Sequence, residues 1–213
     1  MAKVSIHCDG TDIYIVPNGV DYELYNKVKY PKSSYPLVLF GNADFHWMQN
    51  KEGAILLLDN IWPKIKSEIV DAKLWITGKI APKVLSEYTS RKDILIEEVP
   101  VDKSIEPYQK SWILVAPMQS GGGSRTKFFE AMASGLAIIT TRQGIEGIDA
   151  KNGQDVFVSD DLNKLAKGSI NLLKDKKLRE KYGENARELV RNKYDWNYSA
   201  KVLDNLYIET VKK

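Results

Sequence analysis

Short apolar runs alternate with amphipathic stretches along most of the chain. The runs fall at residues 13–16, 37–40, 74–76, 94–96, 112–116, 137–140 and 156–158, and most are β-branched or aromatic and nearly unbroken in hydrophobicity. Strands covered on both faces have that signature. Between them, Ala54, Leu57, Leu58, Ile61, Trp62, Ile65 and Ile69 recur at the spacing of one helix face across residues 49–70. Pro63 falls inside this pattern and is expected to kink the helix or end its first segment, because its ring opposes the carbonyl four residues back. Residues 124–134 read as another helix, with Ser124 as N-cap and Gly135 in the left-handed closing position. Beyond Val158 the strand pattern stops, and residues 160–173, 176–191 and 197–212 read as three successive helices.

Strand–helix alternation with such connections predicts right-handed crossovers and an α/β fold, a doubly wound, Rossmann-like parallel sheet followed by C-terminal helices. Ligands of these sheets bind outside the carboxyl ends of the strands, where strand order reverses. The segments to inspect are therefore the strand-to-helix loops at residues 41–51, 77–82, 98–104, 117–125 and 141–148.

Composition narrows the class. The 213 residues carry 31 Lys and Arg against 28 Asp and Glu, with 43% hydrophobic residues, as in ordinary globular proteins. No apolar run exceeds five residues, so nothing spans a bilayer, and the first fifteen residues lack an apolar core of signal-peptide length. One cysteine, Cys8, forms no internal disulfide, which fits a reducing cytosol. The small basic surplus is spread out and gives no case for nucleic acid. The acids among the basic C-terminal helices favour a solvated face, with peripheral membrane contact at most. His7 and His46 lie too far apart in sequence to suggest a metal cluster, and Cys8 sits in no catalytic motif.

The candidate chemistry lies in the loop Gly121-Gly122-Gly123-Ser124-Arg125-Thr126-Lys127. Three glycines let backbone N–H groups approach a ligand without Cβ obstruction, and a helix start adds unpaired donors that suit an anion. Arg125 and Lys127 oppose the helix dipole there, at about 0.3–1 kcal/mol each when exposed. A bound anion turns that penalty into attraction; the alternative is two solvated basic side chains. The P-loop fails because Lys127 lies between Thr126 and Phe128, and the dinucleotide fingerprint fails because Thr126 stands where its last glycine belongs. Glu130 sits in an otherwise apolar stretch, roughly 9 Å along the axis from the helix tip. From there it faces either ligand hydroxyls or a surface pairing with Lys127.

The block Gly121-Gly122-Gly123-Ser124-Arg125…Glu130-Ala131-Met132-Ala133-Ser134-Gly135, followed by Gly144-Ile145-Glu146-Gly147, resembles the donor-binding half of a family 4 (group 1) glycosyltransferase of the GT-B fold. Pro17-Asn18-Gly19, Leu39-Phe40-Gly41, Trp47…Asn50, Ile61-Trp62-Pro63 and Asp195-Trp196 are similar in order. The resemblance implies a linker-type segment with an N-terminal strand over residues 1–30 and a nucleotide-sugar-binding domain over 31–213. It implies a UDP- or GDP-sugar as substrate and no cofactor or metal. Gly41 and Asn42 would let the first loop approach the diphosphate, and the backbone at Val99 and Val101 would meet the base. Arg125, Lys127 and the amides of Gly121, Gly122, Gly123 and Ser124 would hold the phosphates, and Glu130 the ribose. Relatives often carry a Glu eight positions before the one matching Glu130; Gly122 stands there, leaving Glu146 or the glycine amides for the sugar.

By the same resemblance, transfer would retain anomeric configuration, run at the cytoplasmic side, and serve a glycan or lipid-linked acceptor in polysaccharide synthesis. Only sixteen residues precede Pro17, so an acceptor domain would come from elsewhere in the gene or from a partner chain. The readings left open beside it are a non-catalytic nucleotide-sugar-binding or regulatory module and a sugar-nucleotide epimerase half.

Overall fold

The computed structural model describes residues 13–211. After α1 (Tyr22–Asn26), the chain builds β1 (Leu37–Asp44), α2 (Met48–Leu56), α3 (Trp62–Glu68), β2 (Lys73–Lys79), α4 (Ala81–Val84) and β3 (Ile94–Glu97). It continues through α5 (Glu106–Lys110), β4 (Ile113–Ala116), α6 (Thr126–Ala133), β5 (Ala137–Thr140) and β6 (Phe157–Val158). Three helices follow: α7 (Leu162–Lys174), α8 (Lys176–Lys193) and α9 (Trp196–Val211).

The six strands form one parallel sheet in the order β3-β2-β1-β4-β5-β6. The chain winds outward from β1 to β3, then returns to the centre to lay β4 against β1, pairing Val38 with Ile113 and Leu39 with Leu114. The reversal therefore lies between β1 and β4, and a crevice opens there at the carboxyl ends. Val38, Leu39, Phe40, Ile113, Leu114 and Val115 are fully buried, as central strands covered on both faces require.

Three expectations change in detail. Among the described residues, 13–16 join no strand of the six-stranded sheet; Tyr14 makes an isolated bridge, and Ile15 and Val16 are exposed. Pro63 does not end its helix. A π-turn at Leu57–Ile61 carries α2 into α3, and the Trp62 N–H reaches back to the Leu57 carbonyl, five residues away. The wider turn absorbs the hydrogen bond that proline cannot make. The first loop is also shorter at its start than the pattern suggests, because β1 runs on to Asp44 through an irregularity between Phe40 and Ala43.

The segment before β1 is docked rather than trailing. Val20 N–H donates to the Tyr194 carbonyl at 2.8 Å, and Trp196 N–H donates to the Val20 carbonyl at 3.1 Å. Ser199 Oγ bonds the Pro17 carbonyl at 2.9 Å. A Cβ on Gly19 would stand 2.9 Å from that Tyr194 oxygen, so only glycine lets the chain lie so close to the α8–α9 corner. Val20, Tyr22 and Tyr25 are thereby buried.

Candidate active site

The glycine loop leaves β4 and enters α6 at the mouth of the crevice. Gly121 and Gly123 take φ of +85° and +79°, a conformation that side chains rarely adopt. A Cβ on Gly122 or Gly123 would meet nothing within 4 Å, so this stretch borders open space. The N-cap of α6 is Arg125, not Ser124, and it makes no side-chain cap bond. Ser124 Oγ instead accepts from Asn18 Nδ2 at 3.2 Å, which ties the loop to the docked N-terminal segment.

Arg125 turns back on its own loop. Its Nη1 donates to the Gln143 carbonyl at 2.6 Å, and its Nη2 donates to the Ser120 and Gly121 carbonyls at 2.8 and 2.7 Å. Burial lowers its pKa, opposed by the charge of Glu146. Glu146 is exposed in the turn after β5 and accepts from Gln143 Nε2 at 2.7 Å, while the same amide nitrogen donates to Gly121 at 2.7 Å. Arg125 and Glu146 thus shape and flank the loop from two sides.

Lys127, in the first turn of α6, is buried, and among the described residues its ammonium has one acceptor, Asn50 Oδ1 at 3.0 Å. It also stands 4.3 Å from the centre of the Phe40 ring. Burial, with the Arg125 charge adding to it, lowers its pKa to about 7, against the opposing pull of Glu130. A buried cation with three donors and one hydrogen-bond acceptor is poised for an anion.

Glu130 lies on the other side of the same turn pair and does not pair with Lys127 among the described residues. Its oxygens accept from the Tyr25 hydroxyl at 2.9 Å and the Tyr108 hydroxyl at 2.5 Å. Burial raises its pKa, and both phenols work against that rise. The carboxylate in turn raises both phenols, which desolvation already pushes upward. A surface Lys127–Glu130 pair is thereby excluded; each oxygen keeps a lone pair beyond its phenol.

Gly41 and Asn42 lie inside β1. Gly41 packs against Tyr108, where a Cβ would stand 2.8 Å from the hydroxyl. Asn42 N–H donates to that hydroxyl at 3.2 Å, its Nδ2 holds the Ser104 carbonyl at 2.9 Å, and its Oδ1 accepts from Thr77 Oγ1 at 2.7 Å. The pair therefore fixes the crevice floor from within the strand, which corrects its placement in an open loop. Val99 is half-buried, and Val101 is 90% exposed just beyond the carboxyl end of β3. Lys127, Glu130 and the glycine loop are brought together on the β4 side of the crevice, and Val99 and Val101 follow β3, on the other side of β1.

Sequence reading missed Tyr25, Tyr108, Asn18 and the role of Asn50. Their signal was weak, since tyrosines in short helices read as core. Among the described residues no cluster of metal-ligating side chains forms, and no helix is long and apolar enough to cross a membrane.

The family model of group 1 glycosyl transferases matches residues 37–175. The chain belongs to the group 1 glycosyltransferases. A protein from the cps region of Klebsiella pneumoniae is 27% identical over 168 residues, covering 75% of this chain and 42% of that protein. An uncharacterized glycosyltransferase of Methanocaldococcus jannaschii is 26% identical over 129 residues, 59% of this chain and 32% of the relative. The chain thus spans less than half the length of the curated relatives it matches. A mutant of Staphylococcus aureus TarM, solved with fondaparinux, α-GlcNAc-glycerol and UDP, superposes with a TM-score of 0.75 at 16% identity, over 94% of this chain and 40% of that one. The C-terminal domain of the Francisella tularensis group 1 protein LpcC superposes with a TM-score of 0.66 at 19% identity, over 84% of this chain and all of that domain. These likenesses establish the GT-B-type Rossmann-like fold of this glycosyltransferase domain.

Proposed function

We propose that the domain binds a nucleoside-diphosphate sugar in the crevice between β1 and β4 and supplies the donor side of a glycosyl transfer. The observation that carries this reading is Lys127: a buried ammonium at a helix start, beside an open glycine loop, with one protein acceptor. A diphosphate supplies the missing acceptors and the missing negative charge. UDP in the TarM structure supports a nucleoside diphosphate as the ligand class.

In this reading the diphosphate lies against Lys127 Nζ and the amides of Gly121, Gly122, Gly123 and Ser124. Arg125 holds the loop open through its carbonyls and adds charge at short range. Glu130, oriented by Tyr25 and Tyr108, offers its remaining lone pairs to ribose hydroxyls, and Val99 and Val101 border the base. Glu146 and the exposed Gly122 backbone stand nearest the sugar. When the glycosidic bond to the diphosphate breaks, negative charge accumulates on the leaving oxygen, and the fixed positive charge of Lys127 stabilises it. We take transfer to be retaining and metal-independent, the acceptor to be a glycan or lipid-linked sugar, and the second domain to come from beyond this segment. The setting is cytoplasmic polysaccharide synthesis, in line with the cps-region relative.

Thermal melting with UDP and with GDP tests the binding reading. A ligand at about 100 times its dissociation constant stabilises by about 2.7 kcal/mol. One of the two should raise the melting temperature, and Lys127→Ala should abolish the rise; no rise with either removes the donor-domain reading. Donor hydrolysis by the chain distinguishes an enzyme half from a pure binding module.

A further inference from the structure

A second concentration of positive charge lies at the other end of the sheet. A cavity of about 440 Å³ is lined by Lys32, Trp112, Gly135, Lys176, Arg179 and Glu180. Trp112 immediately precedes β4, and Gly135 lies just before β5. Because the strands are parallel, these residues sit at the amino ends, opposite the nucleotide crevice.

The wall is built and held. The Arg179 guanidinium stacks 4.3 Å from the Trp112 ring, and its Nη1 donates to the carbonyls of Leu172 and Leu173 at 2.8 and 3.1 Å. Its Nη2 and Nε make no hydrogen bond among the described residues. Lys32 is exposed along its stem but turns its ammonium inward to the Ser111 carbonyl at 2.7 Å. Neither cation meets a carboxylate at pairing distance among the described residues. Glu180, itself on the cavity wall, stands 3.6 Å from Lys176 and with Asp175 acts on Arg179 by charge, while Glu184 stands 2.6 Å from Arg187. Arg187 lies directly over Gly135, where a Cβ would be 2.0 Å from its Nη2.

Unpaired polar atoms lie buried behind the cavity wall. The described residues hold three buried side-chain polar atoms without a partner: Ser111 Oγ, Ser134 Oγ and Arg187 Nε. Ser111 carries the carbonyl that holds Lys32, Ser134 precedes Gly135, and Arg187 covers it. None of these three residues lines the cavity; the donors that a guest there would meet are those of Lys32, Arg179 and Lys176. The Lys32 pKa is lowered to about 8, first by burial of the ammonium and then by Arg187 and Arg179, so the cations repel one another across the space.

We propose that this cavity is a binding site for a phosphate group, separate from the nucleotide crevice, with Lys32 and Arg179 as its principal donors and Lys176 at its rim. Phosphate fits better than a carboxylate because donors converge from several directions, and a multi-oxygen dianion satisfies them together. The group belongs either to a soluble phosphate monoester or to a lipid headgroup ending in a phosphate monoester, as in phosphatidic acid; both present the same three terminal oxygens.

The test follows Trp112 by fluorine NMR of the chain labelled with 5-fluorotryptophan, its signal among the five tryptophans assigned by loss in Trp112→Phe. Inorganic phosphate and glycerol 3-phosphate should shift that signal saturably. Lys32→Ala should weaken the response about tenfold or more, as loss of a charge-assisted hydrogen bond does. Lys176→Ala, whose side chain is 75% exposed, should weaken it without risk to the fold. Lys127→Ala should leave it unchanged. A response to phosphatidic acid vesicles and not to phosphatidylcholine identifies a lipid headgroup, and a response to glycerol 3-phosphate alone identifies a soluble ester. An unmoved Trp112 signal, or one with the same midpoint in both lysine variants, overturns the site.

Discussion

Lys127 carries the clearest conflict between stability and function in this domain. Its ammonium titrates near pH 7 when folded and near 10.5 when exposed. Between those values the unfolded chain holds a proton that the folded chain has released, so this residue's contribution to stability rises with pH. Below pH 7 both states are protonated and the burial cost is at its largest. Lys127→Met should therefore raise the melting temperature by roughly 2–8 °C at pH 6, with the gain shrinking toward pH 10, while diphosphate binding is lost. Melting curves across that range check the sign. Tyr108→Phe makes the opposite kind of change. It removes one donor from Glu130 and the acceptor of the Asn42 N–H, so chemical denaturation should show a loss of about 2–3 kcal/mol. Lys127 and Glu130 were legible from their odd placement in an apolar helix. Tyr25 and Tyr108 were not, because they meet Glu130 from 105 and 22 positions away.

Elements show where local rules yielded to packing. Residues 124–134 carry the helix signal, yet the helix starts at Thr126, because Arg125 turns back to bind loop carbonyls and draws the first turn open. The proline in the long helix was visible in the sequence, but the π-turn that accommodates it was not. Whether a proline breaks a helix depends on the burial of both flanks, and Leu57, Leu58, Ile61 and Trp62 are all buried. The glycines divide into those that tolerate a side chain and those that do not. Gly122 faces open space without a positive φ, so Gly122→Glu should change stability by less than about 0.5 kcal/mol, as at other free surfaces. The same substitution supplies the acid that the family resemblance leads one to expect at this position, and a changed preference among donor sugars in a binding assay would support a sugar subsite at this loop. Gly183→Ala should be severe, since its Cβ would stand 2.2 Å from the Gly135 carbonyl, a backbone atom that cannot swing aside where α8 packs against the end of α6. Chemical denaturation should show a loss of roughly 1–3 kcal/mol.

At the scale of the molecule, the parallel sheet and a site at its carboxyl end follow from the alternation of buried strands and helices, which the sequence displays openly; the strand order itself came from the structure. What the sequence does not display is long-range docking. The Pro17-Asn18-Gly19 segment reads as a linker, yet it closes over the α8–α9 corner and delivers Tyr25 to the site, through backbone hydrogen bonds that leave no residue pattern. The same limit hid the cationic cavity at the far end of the sheet, whose walls come from four separate stretches of chain. The central claim is that a diphosphate completes the charge of the crevice, and calorimetric titration of UDP and GDP at pH 8 tests it most directly. Lys127 is mostly neutral there in the free chain, so binding should draw a proton onto it. Runs in buffers of different ionisation enthalpy should show saturable binding with uptake approaching one proton, and both should vanish in Lys127→Met. Absence of binding by either nucleotide, or binding that survives that substitution unchanged, contradicts the account.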